Sequence, residues 1–220
     1  MDFTKFVDIL NSESLFFTRA DRFEDSFEGA ITKQNAKRRE LVYAQNEKAL
    51  SPEFWQKHYE EMRSKMAINC WHMNDYESAA MWVLYLKSNE GIAIQSTYER
   101  FVNCFNSNPI DIFIGAVNYV DYENDSINIH NVFSRYLSKR KSFEHEKELR
   151  AVIWESGTKV PIEIGAVGCK IKVQLKDLME NIYVSPQSPT WLTDLVKDTC
   201  KRFGFDFNVI NSRLNDSPIF

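Results

Sequence analysis

Apolar positions recur along this chain at two spacings, and the change from one to the other marks its elements. Phe3, Phe6, Val7 and Leu10 fall on one side of a helix over 3–11. Leu15-Phe16-Phe17-Thr18 reads as a short buried strand after a turn at Glu13-Ser14. A charged loop carrying Phe23 and Phe27 follows, from Arg19 to Gly29. Helix formers dominate 32–49. Ser51-Pro52-Glu53 then starts another helix, running to about Lys65, with Ser at the N-cap and Pro at the first helical position. Further strands are predicted over 67–71, 91–96, 110–120, 148–155, 167–173, 181–184 and 207–210. Further helices are predicted over 78–86, 98–105, 132–138 and 189–203, the last stopped by Gly204, with a loose tail from Asn211. Strands and helices mix without strict βαβ alternation. The prediction is therefore an α+β fold: one domain over 1–220, with a central, mostly antiparallel sheet and flanking helices. The strand–helix–strand run 167–210 is expected to complete that sheet.

Composition supports a packed core. Of 220 residues, 44% are hydrophobic and 14% aromatic, which excludes a disordered chain. Only seven glycines occur, and no glycine-rich phosphate-loop motif is present. A net charge of −4 argues against bulk electrostatic binding of nucleic acid. Two basic clusters, Lys33/Lys37/Arg38/Arg39 and Arg135/Lys139/Arg140/Lys141, read as solvated helix faces. The four cysteines, Cys70, Cys104, Cys169 and Cys200, have no metal-ligand spacing and read as buried thiols, with no metal site expected. No apolar run reaches the roughly 18 residues of a membrane span, and no signal peptide opens the chain. A cytoplasmic protein with no membrane partner is the expectation.

Charge is densest in Ser142-Phe143-Glu144-His145-Glu146-Lys147-Glu148-Leu149-Arg150, which then gives way to apolar Ala151-Val152-Ile153-Trp154. As a strand, this segment places Glu146, Glu148 and Arg150 on one face, with the two carboxylates' Cα atoms ~6.6 Å apart. The bland alternative is a surface helix on which Glu146 pairs with Arg150, and Glu144 with Lys147.

Six segments in order resemble a prokaryotic family designated domain of unknown function 2971, over roughly residues 10–155. Leu15–Thr18 leads into Phe23-Glu24-Asp25-Ser26-Phe27-Glu28, where the family has Asn-Asp-Pro-Phe-Glu. Cys70-Trp71-His72, Met81-Trp82-Val83-Leu84-Tyr85 and Gly91-Ile92-Ala93-Ile94 follow, then Val117-Asn118-Tyr119. Last comes a Lys (Lys139 or Lys141) followed by an aromatic-x-x-Glu-x-Glu-x-Arg pattern at Phe143, Glu146, Glu148 and Arg150. Glu24, Ser26 and His72 stand where the family prefers Asn, Pro and Ser. A weaker likeness is to ADP-ribosyltransferases, which place Glu-x-Glu before a late strand, as Glu146-Lys147-Glu148 does here. Ser96-Thr97 is similar to a strand end found in some of them.

These resemblances imply NAD as the substrate of a bacterial transferase serving in toxin or phage-defence contexts. Glu148 would be the catalytic carboxylate and Glu146 its acceptor-side helper. Arg19 or Arg22 would hold the pyrophosphate, and Trp82 or Tyr85 would shape the nicotinamide pocket. Asp25, Glu28, His72 and Arg150 complete the candidate binding residues. Each has a bland reading too: Asp25 and Ser26 as helix caps, Phe23 and Phe27 as core anchors, Trp82 and Tyr85 as core, His72 as a satisfied strand-end histidine. The rival function is a non-catalytic binding or regulatory module for a protein or nucleic-acid partner, dependent on the 37–39 or 135–141 basic clusters. A third is a metal-dependent nuclease using Asp25, Glu28, Glu146 and Glu148.

Overall fold

In the computed structural model, which describes residues 1–44, 50–86 and 88–220, the chain is α+β. The elements are α1 (Phe3–Ser12), β1 (Ser14–Arg19), α2 (Lys33–Ala44), α3 (Pro52–Ser64), β2 (Met66–His72), α4 (Ala79–Tyr85), β3 (Ile92–Gln95) and α5 (Tyr98–Asn103). They continue through β4 (Phe113–Ala116), β5 (Asn118–Val120), β6 (Ser138–Arg140), β7 (Glu148–Trp154), β8 (Gly168–Lys172), α6 (Leu175–Leu178), β9 (Asn181–Val184), α7 (Trp191–Arg202) and β10 (Asn208–Asn211). Short 3₁₀ turns cover Ala20–Arg22, Val132–Arg135, Lys141–Glu146 and Glu155–Gly157. The predicted helical segment 45–49 lies outside the described residues. Among the described residues, no helix is long and apolar enough to cross a membrane.

Contacts divide the chain into two compact units, each drawn from separate stretches. Unit 1 comprises Met1–Leu15, Asn74–Asn108 and Ile171–Phe220, and unit 2 comprises Phe16–Met73 and Pro109–Lys170. In unit 1, β9 and β10 run parallel through the crossover helix α7, and β3 pairs antiparallel with β9. The predicted completion of one central sheet by 167–210 is thus corrected: β8 joins the large sheet, while β9 and β10 form a separate three-stranded sheet with β3. The buried side of unit 1 is built from Phe6, Leu10, Ile92, Ile182, Leu192 and Val196.

The larger sheet has strand order β4-β7-β2-β1-β8, with β4/β7, β7/β2 and β2/β1 antiparallel. β7 lies between β4 and β2 and is buried at every position but the last. One face carries Met66, Ile68 and Val152, which pack with Ala20 and Tyr136, and with Phe23, Met62, Phe133, Leu137 and Trp154 around them. Further along the same face the register sets Cys70 opposite Arg150 and His72 opposite Glu148. Strand alternation therefore carries this face from an apolar core straight into a set of ionisable groups.

Two expectations in unit 2 fail for tertiary reasons. The apolar run 110–120 is not one strand, because the chain changes partner. Ala116 still pairs with Leu149, Val117 donates its N–H to the Glu148 carbonyl at 2.8 Å, and Asn118 donates to Leu137 at 2.8 Å to begin the parallel β5/β6 pair. Gly115 permits the close approach of Leu137, whose Cδ1 lies 2.7 Å from where a β-carbon would sit. The segment 132–138 is not a helix: a single 3₁₀ turn, capped by Asn131, ends at Tyr136 so that Ser138 can enter β6. At the Ser51-Pro52 start the expectation holds, the Ser51 hydroxyl accepting the Phe54 N–H at 3.2 Å.

Candidate functional site

The motif residues of unit 2 meet in one buried network on the sheet face described above. Parallel pairing places Lys139 of β6 beside Tyr119 of β5. Lys139 Nζ donates to Glu146 Oε2 at 2.5 Å and to Glu148 Oε1 at 2.6 Å, and lies 4.7 Å from the Phe143 ring centre. Tyr119 Oη accepts the Glu148 N–H at 2.8 Å. Arg150, 0% exposed, donates from Nε to Glu148 Oε2 at 2.6 Å and forks onto both Glu28 oxygens at 2.7 and 3.0 Å. Its Nη1 also reaches the Tyr136 carbonyl at 2.7 Å. Glu28 comes from the loop after β1, which Phe23 anchors in the core.

Glu146 does not share the strand face as expected. It ends the 3₁₀ turn Lys141–Glu146, and Lys147, with φ of 41°, turns the chain before β7 begins at Glu148. No glycine marks that left-handed position in the sequence. The two carboxyls converge on Lys139 all the same, and Lys139, not the exposed Lys141 (3.3 Å from Asp125), is the Lys of the pattern.

Three carboxyls face two cations in this network, so one negative charge is left over. Burial raises the Glu146 carboxyl, and its hydrogen bond with Glu148 raises it further against the pull of Lys139. Burial also works to raise Glu148, but the bond from Glu146, together with Arg150 and Lys139, outweighs it and holds Glu148 well below the usual carboxylate range. Burial and the neighbouring carboxyl thus push Glu146 up, while the two cations hold Glu148 down. Burial raises Glu28 against the attraction of Arg150. Both Glu148 oxygens accept from cations, and the residue is only 5% exposed.

The other expected site residues have separate partners. Arg19 is clasped by Asp21 at 2.6 and 3.0 Å, and Arg22 is exposed and donates to the Ala166 carbonyl at 3.0 Å. Asp25 caps a turn, not a helix, accepting the Phe27 N–H at 3.1 Å, and it pairs with Arg140 at 2.8 Å. Arg140 also lies over Phe27 and Phe143, at 4.5 and 5.2 Å. His72 Nδ1 donates to the Glu146 carbonyl at 2.6 Å, which leaves Nε2 as a buried acceptor with no partner. Trp82 and Tyr85 belong to unit 1, on α4, where Trp82 Nε1 donates to Glu77 at 3.1 Å and Tyr85 is half exposed. Ser96, also in unit 1, donates to the Leu178 carbonyl at 2.6 Å. Of the thiols, Cys104 and Cys200 are buried as expected. Cys70 is not: it keeps an open face to solvent on the sheet beside Arg150. Among the described residues, no group of three or more His, Cys, Asp or Glu side chains is arranged to hold a metal ion.

The two basic clusters are not solvated faces throughout. Lys37 and Arg38 are exposed and Lys33 pairs with Glu123 in solvent, but Arg39 and Arg135 turn inward onto α3. Arg135 lies 4.3 Å from the centre of the Tyr59 ring, and Arg39 lies 5.6 Å from it and 5.9 Å from that of Trp55. Arg63, one turn beyond Tyr59, packs with Tyr136 around Gly29, whose φ of +73° and missing β-carbon leave room for both side chains. Arg39 Nη1, Arg63 Nε, Arg135 Nη1 and the Tyr136 hydroxyl are all buried without a hydrogen-bond partner. Among the described residues, none of the three arginines has an acidic partner, and Arg135 is only 5% exposed. Burial pushes the Tyr136 phenol up to about 12, while Arg135 and Arg63, both close enough to act on it, pull the other way. Arg63 was missed in the sequence. Its signal was the 55, 59, 63 spacing, which sets Trp, Tyr and Arg along one face of α3.

No protein-family model, curated protein or solved structure matches this chain, so neither resemblance drawn from the sequence gains support from comparison.

Proposed function

We propose that this chain is a non-catalytic binding module for an anionic ligand, with Arg39, Arg63, Arg135 and Tyr136 as the recognition groups. The observation that carries the reading is the orphaned set of donors in unit 2. Buried donors are almost always partnered, and each one left unmade costs about 1–3 kcal/mol, more when it is charged. One nitrogen of each of three arginines and the phenol oxygen have no acceptor, and they are retained at that cost because an anion completes them. This is the binding-module alternative, now with Arg39 of one basic cluster and Arg135 of the other on the same ring.

The transferase reading has less support. A carboxylate that grips ribose must be open to it, and Glu148 is 5% exposed with Lys139 and Arg150 already on its two oxygens. A nuclease reading is weaker still, because Asp25, Glu28, Glu146 and Glu148 each already bind Arg or Lys. The test is thermal unfolding in inorganic pyrophosphate against sodium chloride of equal ionic strength. Pyrophosphate should raise the melting temperature beyond the chloride control, and Arg135→Gln should abolish the difference. Equal effects of the two salts would overturn the reading.

A further inference from the structure

The orphaned donors do not stand alone: aromatic rings surround them on one side and close off the other. From this arrangement we infer that the ligand is a nucleoside monophosphate, its phosphate held by Arg63, Arg135 and Tyr136 and its base stacked on the aromatic side chains of α3. The inference rests on the anion-binding reading above and adds the chemical class of the ligand.

Three features of unit 2 select that class. The inner end of the cluster is a dead end: Tyr136 is 0% exposed, Arg135 is 5% exposed, and Gly29 closes against the Tyr136 ring and the Arg63 stem. A group reaching it must be small and at the end of its molecule, which suits a terminal phosphate and not a phosphodiester inside a polymer. Guanidinium forks and a phenol are the donor types that match phosphate oxygens. The outer end is a run of rings. Trp55 and Tyr59 lie 5.7 Å apart, Phe54 and His58 are parallel at 6.2 Å, and Phe54 is 49% exposed. Arg39 lies over Trp55 and Tyr59 between these ends. A planar base stacks on such rings whatever its identity.

The orphaned atoms are covered by their neighbours, so the ligand enters by displacing side chains of α3. That helix fully buries none of its residues, and Trp55, His58 and Tyr59 are only half-buried. Met62 of the same helix packs against the core, so the displacement is confined to these outer side chains.

The experiment is calorimetric titration of the full chain with adenosine 5′-monophosphate, ribose 5-phosphate, adenosine, NAD and inorganic phosphate, with tryptophan fluorescence read in parallel. The monophosphate should bind at least about tenfold more tightly than ribose 5-phosphate and adenosine, because it alone makes both the ionic and the stacking contacts. NAD, whose phosphates are internal, should bind more weakly than the monophosphate. Arg63→Gln should weaken the monophosphate about tenfold or more, and Phe54→Ala, at an exposed position that leaves folding intact, should bring its affinity down to that of ribose 5-phosphate. If ribose 5-phosphate, inorganic phosphate and the monophosphate bind equally, the base is not recognised: the nucleotide inference fails and the anion site stands. If none of the phosphates binds, both fail. Tighter binding of NAD, or binding unchanged in Arg63→Gln, also overturns the inference.

Discussion

Replacing Arg150 by Met tests the network at its centre. The guanidinium makes four hydrogen bonds, two to Glu28, one to Glu148 and one to the Tyr136 carbonyl, and is 0% exposed. Met has similar length and no charge, so packing is largely kept while Glu28 is left buried and unpaired. Removing one partner of a buried ion pair costs about 3–5 kcal/mol. In a chain of this size 1 kcal/mol shifts the melting temperature by about 2–4 °C, so the expected fall is about 6–20 °C. The loss should depend on pH. Burial already raises Glu28, and without Arg150 it is raised further. A carboxyl whose folded pKa lies above its unfolded value loses stability as pH rises through the folded value, so Arg150→Met should be penalised more at pH 8 than at pH 5. The assay is thermal and urea unfolding of both proteins at the two pH values. A fall below about 2 °C, or a loss equal at both pH values, would refute the network as a load on stability.

Other outcomes follow from the same contacts. Glu146→Gln should cost several-fold less than Glu148→Gln, because burial already disfavours the charge on Glu146 while Lys139 and Arg150 stabilise that on Glu148; urea unfolding at pH 7 compares them. Because Glu148 is held low, its contribution is fully present above the ordinary carboxylate range and should persist in wild type until strongly acid pH, which an acid titration of the circular dichroism signal reads. Asn35→Ala should cost about 1–3 kcal/mol in urea unfolding. It removes a buried amide that bonds the Ile127 N–H and carbonyl at 2.9 Å each and accepts from Thr32 at the start of α2. Gly29→Ala should destabilise by more than about 1 kcal/mol, since its φ is +73° and a β-carbon would lie 2.7 Å from Tyr136.

Much of the fold was legible because local chemistry decides it. Ser51-Pro52 started α3, Gly204 followed α7, and the predicted strand 148–155 became the buried strand β7. What was not legible depended on distant partners. Nothing in 110–120 announces that the chain leaves β7 after Val117 and that Asn118 joins Leu137, and nothing in 132–138 announces that Ser138 is needed as a strand. For the candidate site, the spacing grouped Phe143, Glu146, Glu148 and Arg150 with Lys139 or Lys141, but did not say which Lys or what they do. Spacing reports proximity. Whether a carboxylate faces a ligand or an arginine depends on which loop delivers the counter-charge, here Glu28 from more than a hundred residues away. The arginine–aromatic cluster was hidden for the same reason, its members coming from α2, α3 and the turn before β6.

The most direct measurement of the anion site is nitrogen-15 NMR of the arginine side chains. Arg63 Nε–H is one of the orphaned donors, and Arg150 Nε–H is already bonded to Glu148. On titration with adenosine 5′-monophosphate, the Arg63 Nε–H resonance should shift and its exchange with water should slow, saturably, while that of Arg150 stays in place. An Arg63 resonance unmoved at saturating nucleotide, or one that shifts only as it does in sodium chloride, would contradict the account.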